Sequence, residues 1–217
     1  MNSMSRDSNS LITELVGGLK PVRPLRLSGG LSFALAGLGV TLAAVALLFG
    51  FRADVLAGNF DPVFLLATGL FFLLGLAASA TVIVMSRPHV GSDHSGWRWA
   101  AAMAALLPIA AIITGLKRGP AAMSAAGAGH GLDCLIAGSA LGLLVAAALV
   151  WWLRRGAPTS PERAGLLTGI AAGSFGIFAF SFHCQYNDIV HIGLWHGLAV
   201  AVSAGLGRLF VPRLIRW

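Results

Sequence analysis

Six separate runs of about 20 apolar residues, each almost free of charge, constrain this chain more than any other feature. A helix crossing the ~30 Å hydrocarbon core of a bilayer needs about that many. The runs cover approximately residues 31–51, 62–86, 97–116, 131–153, 164–182 and 189–210. Only 11% of the 217 residues are charged, with a mean hydropathy of +0.82. A soluble domain carries about 25% charged residues to solvate its surface, so most of this surface faces lipid. The expected fold is an all-α integral membrane protein: a tail over residues 1–30 with a short cytoplasmic amphipathic helix, then a six-helix transmembrane domain over residues 31–217. The first run is too long, and preceded by too much polar chain, for a cleaved signal peptide. Pro108 should kink the third span.

Basic residues set the orientation. Arg6, Lys20, Arg23 and Arg26 in the tail, Arg87 and Arg98, Arg154, Arg155 and Arg163, and Arg208, Arg213 and Arg216 all fall on one side. Arg52, Lys117 and Arg118 fall on the other. Both termini should therefore be cytoplasmic, and the net charge of +7 reads as topology rather than as a nucleic-acid surface. Trp97, Trp99, Trp151, Trp152 and Trp217 should lie at the inner interface, with Trp195 in the outer half. Small residues recur at Gly138/Gly142, at Gly165/Gly169/Gly173 and at Gly197/Ala201/Gly205. Close backbone approach supplies helix contact in lipid. Packing within one bundle is the favoured use of these stripes, and a homodimer seam the alternative.

Several function classes are excluded. The eight acids are Asp7, Glu14, Asp54, Asp61, Asp93, Asp133, Glu162 and Asp188, and each lies in the tail, in a loop or within a turn of a helix end. Ion-coupled carriers place ionisable groups at mid-membrane, so neither a carrier nor a permease is expected. There is no P-loop, no zincin motif, no nucleophile elbow and no Cys-x-x-Cys. No enzyme is expected.

Against this apolar background stands "HCQYNDIVHIGLWH", residues 183–196, holding one of two cysteines and three of six histidines. Cys134 lies about 30 Å of helix from Arg154, and Cys184 about 32 Å from Arg163. In an antiparallel hairpin both thiols reach the same outer layer, which also collects His130, Asp133, His183, Asp188 and His191. Asp188, His191 and Trp195 share a helix face. A regular helix turns His196 about 80° from Asp188, where it either edges the same site or hydrogen-bonds a neighbouring helix, and it is left out of the candidate ligand set. Thiolate and imidazole suit zinc, copper(I) or cadmium, so the layer is a candidate site for a transient metal ion. No cofactor is required. The same thiols could form a disulfide in an oxidising compartment, or the polar groups could simply satisfy one another. A metal- or haem-binding redox protein, with His130, His183 or His191 as axial ligands, is the alternative from another class.

In the tail, Leu11, Ile12, Leu15, Val16 and Leu19 share one helical face. Ser10 or Asn9 should cap the helix and Pro21 end it. Gly17 and Gly18 weaken it by about 1 kcal/mol each, so it should order on a surface: the membrane, with Lys20, Arg23 and Arg26 at headgroups, or a partner's groove.

The tail "ELVGGLKPVRPLR", the six spans, "HGLDCLIAG" and "FHCQYNDIVHIGLWHG" together resemble the NrsF family of membrane anti-sigma factors. The resemblance covers essentially the whole chain. It implies a multi-pass protein of the bacterial inner membrane that holds an extracytoplasmic-function sigma factor inactive and does not itself touch nucleic acid. It implies Cys134 and Cys184 as a pair sensing metal or oxidant stress. It implies a sigma-binding segment including Leu11, Ile12, Leu15, Val16, Leu19, Lys20, Pro21 and Arg23.

Overall fold

The computed structural model describes residues 4–19, 25–88, 96–119 and 128–216. Lys20, Pro21, Arg23, Asp93 and Trp217 lie outside them, as do the side chains of Arg6, Asp7 and Trp97. The described residues hold no strand. Their helices are α1 (Met4–Gly17), α2 (Leu27–Leu48), α3 (Ala53–Leu56), α4 (Pro62–Met85), α5 (Gly96–Arg118), α6 (Ala128–Leu153), α7 (Pro161–Ser181), α8 (Ile189–His191) and α9 (Gly197–Ile215). A single π turn, Ile192–His196, joins α8 to α9, so the two form one span. Six helical stretches are long and apolar enough to cross a membrane. They correspond one to one with the six apolar runs.

Span ends follow local chemistry rather than the limits of the apolar runs. The first helix begins at Leu27 and stops at Leu48, because Gly50 takes a left-handed φ of 77° and its N–H turns back to the Val45 carbonyl. Asp61 caps α4 by accepting from Val63 N at 2.7 Å and Phe64 N at 3.2 Å, with Pro62 at the first helical position. In the tail, the expected cap at Ser10 or Asn9 is corrected: α1 already begins at Met4, and Thr13 Oγ1 donates to the Asn9 carbonyl within it. Exposed Ser and Asn sit in a helix interior at modest cost. The helix ends at Gly17, before Pro21 is reached.

The centre of the bundle is α7, packed against α4, α6 and α9. Of its apolar window 89% is buried, against 22% for α2. Glycines make this approach close. A methyl group on Gly142 would overlap the Ala172 carbonyl, one on Gly165 the Gly207 carbonyl, and one on Gly169 the Ser203 carbonyl. The glycines of α6 and α7 are thus used inside one bundle. The stripe expected in the last span is corrected: Gly205 has open space, Ala201 is exposed, and Gly197 packs on Pro108 of α5. The face turned to α7 is Val200, Ser203 and Gly207, since Gly197 is already taken up by α5. Trp152 sits beside Trp151 at the end of α6. It is buried over Gly29 and Phe33, whereas Trp99 and Trp151 are exposed.

Candidate functional site

The site forms where the α7–α8 connection, residues 182–188, folds over the end of the bundle. Arg52 holds that connection. Its backbone N–H donates to the Phe182 carbonyl at 2.9 Å. Its Nη1 donates to the Cys184 carbonyl at 2.7 Å and to Asn187 Oδ1 at 2.9 Å. Nε and Nη2 form a fork on Asp54, at 2.6 Å each. The guanidinium lies 5.2 Å from the centre of the Phe64 ring. Arg52 is only 7% exposed, and a buried guanidinium is tolerable only when its donors are so fully used. The Arg52 hydrogen bonds hold the Asp54 carboxyl below its usual range.

Behind this clamp, two thiols and two imidazoles converge. Cys134 comes from the second turn of α6, Cys184 from the connection, His191 from α8 and His196 from the π turn. The two Sγ atoms are 3.6 Å apart and unbonded. Each is 3.6 Å from His191 Nε2. The four ligand atoms lie within 4.8 Å of one another, and all four residues are buried. Neither ring nitrogen of His196 has a hydrogen-bond partner. An unsatisfied buried polar group costs about 1–3 kcal/mol, and a ring placed this way fits a metal ligand. The residues present therefore suit a soft or borderline metal.

The π turn explains how His196 arrives. Five α-helical steps would turn it about 140° away from His191. A π turn pairs i with i+5, which brings the two rings to 5.4 Å between centroids. The space for this comes from Gly193, seated on Leu107 and Ala111 of α5, and from Gly131, which accommodates the Trp195 indole.

The structure thus joins three of the expected site residues, Cys134, Cys184 and His191, and places the others apart. His130, Asp133 and His183 line a neighbouring polar cavity of roughly 500 Å³ that opens onto both cysteines. His183 Nδ1 donates to the Gly50 carbonyl at 3.1 Å. Asp188 is a helix cap, accepting from Val190 N at 2.8 Å and His191 N at 3.4 Å, and it pairs with Arg118 at 2.8 Å. Its carboxylate belongs to α8, not to the quartet. His196, left out of the ligand set in the sequence, joins the group, and two further participants were not anticipated there: Arg52, and Tyr186, which stacks on His191 at 4.8 Å. Tyr186 is the only tyrosine in the chain, and Arg52 is one of few basic residues on its side. Both were usable signals.

The sequence model of one family, described as negative regulator of sigma F, matches residues 15–217. The chain belongs to the NrsF family. It is 30% identical over 215 residues to the anti-sigma-F factor NrsF of Caulobacter vibrioides, covering 96% of this chain and 97% of that one. It is 27% identical to the probable anti-sigma-F factor NrsF of Azospira oryzae, covering 97% and 99%. No solved structure matches.

Proposed function

We propose that this NrsF-family chain is an anti-sigma factor of the bacterial inner membrane with both termini in the cytoplasm. Its tail sequesters an extracytoplasmic-function sigma factor, and its outer Cys/His site controls release. The observation that carries this reading is the family match over residues 15–217, nearly the whole chain. Two structural features support its two halves. The apolar face of α1 is uncovered: Leu11, Ile12, Leu15 and Val16, and Leu19 just beyond the helix end, are all more than half exposed, as a helix that docks into a partner's groove requires. Lys20, Pro21 and Arg23 would extend that contact. At the other end, two free thiols lie at contact distance beside an imidazole.

Release follows from a change at the thiols. Either they lose their protons to bind a metal ion, or they give two electrons and two protons to a peroxide-class oxidant, which becomes water, and form a disulfide. Moving the sigma factor from 99% bound to 99% free takes about 5.5 kcal/mol of differential affinity. Metal–thiolate or disulfide bonds supply energies of that order.

The test is co-purification from native membranes with and without residues 1–27. A sigma factor should accompany the full chain and disappear with the truncation. Recovery of no sigma factor with the full chain would remove the regulatory reading. In cells, replacing Cys134 and Cys184 by Ser should abolish induction by metal or oxidant while leaving sigma binding intact. Normal induction in that double mutant would exclude the thiols as sensor.

A further inference from the structure

Three of the four buried ligand atoms are spaced as ligands of a single tetrahedral ion, and the fourth, on His196, lies within 4.8 Å of them. With Zn–S near 2.3 Å and Zn–N near 2.0–2.1 Å, tetrahedral angles place two sulfurs about 3.8 Å apart and sulfur and nitrogen about 3.6 Å apart. The protein has 3.6 Å between its sulfurs and 3.6 Å from each sulfur to His191 Nε2. His196 lies in the same group, with both ring nitrogens buried and unpartnered. We infer that Cys134, Cys184, His191 and His196 form a closed tetrahedral site for a divalent d10 cation, zinc or cadmium, with His196 as the fourth ligand.

Charge decides among the ions that thiolate and imidazole accept. Two thiolates and two neutral imidazoles around a divalent ion sum to zero, which suits a fully buried site. Copper(I) would leave one negative charge there, and a carboxylate ligand on zinc would do the same. This is why Asp133 and Asp188 stand outside, one lining the cavity and the other capping α8. The cavity, with His130, Asp133 and His183 in its wall, is also lined by Cys134 and Cys184 and would give a hydrated cation its way in. Four protein ligands leave no open position, so the site holds an ion without catalysing a reaction on it.

The inference rests on the sensing half of the function proposed above, yet its test needs no sigma factor and can fail or succeed independently of one. The purified full chain, with its thiols reduced, is titrated with Co2+ as an optical probe and then with Zn2+. One Co2+ per chain should appear with the intense visible bands of four-coordinate thiolate cobalt, about two protons should be released, and Zn2+ should bleach the bands. His196→Gln, which keeps much of the ring's volume, should lose the four-coordinate spectrum, whereas His130→Gln and Asp133→Asn should retain it. A wild-type spectrum from His196→Gln, or only weak six-coordinate bands from the wild type, would overturn the site. X-ray absorption of the zinc-loaded wild type keeps the claim testable if that variant does not fold. Two sulfurs and two imidazoles are expected, and a single imidazole refutes the ligand set.

Discussion

At the residue scale, Arg52 matters most outside the thiol site itself. It ties the connection between α2 and α4 to the one carrying Cys184, through the Phe182 and Cys184 backbone and Asn187. Arg52→Met keeps the apolar stem and removes the fork. Losing hydrogen bonds from a charged donor should cost about 2–3 kcal/mol, read as a lower unfolding temperature in detergent, and Cys184 should alkylate faster. An unchanged alkylation rate would mean that the connection holds its shape without the clamp. The clamp also has a pH signature. Asp54 is held below its ordinary value by Arg52, so its contribution is present above about pH 4. It is lost as pH falls through the lower folded value. The unfolding temperature should drop in that acid range in the wild type and much less in Arg52→Met. Sequence alone gave Arg52 only as a basic residue on the sparsely charged side. That it is buried depends on where Asp54 and Asn187 meet it, which no local pattern encodes.

At the scale of elements, the six spans were legible because lipid fixes both length and composition of a crossing helix. Cys134, Cys184 and His191 were legible for a related reason: helical rise converts residue separation into depth. His196 was not. Its placement was reckoned on a uniform helix, and one π turn changes the neighbour of His191 from the fourth residue to the fifth. The glycine stripes were read correctly as packing devices in α6 and α7, and misassigned in α9. That difference gives a paired test. Gly169→Val drives a side chain into the Ser203 carbonyl and should destabilise by at least about 1–3 kcal/mol. Gly205→Ala meets only open space and should stay within about 1 kcal/mol of the wild type. Thermal unfolding of both variants in one detergent checks it, and equal losses would mean that α9 packs through another face.

At the scale of the whole molecule, the basic residues predict which end is outside. In a chain whose two cysteines are replaced by Ser, a single cysteine at Asn59 should react with a membrane-impermeant reagent on intact inner-membrane spheroplasts. One at Ser160 should react only after permeabilisation. The reverse pattern would place the thiol site in the cytoplasm. The same placement leaves the two informative ends of the chain separated by the membrane thickness, with α7 running between them. Biogenesis has to accommodate that central helix. Its window has a mean hydropathy of 1.6, against 2.3 for α2 and α6, and 89% of it is covered by neighbours. Covered by protein, it does not need the greasiness that lipid demands of an outer helix. For the same reason it gains less by entering a bilayer alone. Its glycine-lined contacts with α6 and α9 form only once those helices are beside it. The four-residue site would then be complete only after the last span has joined the bundle, since His191 and His196 arrive on it.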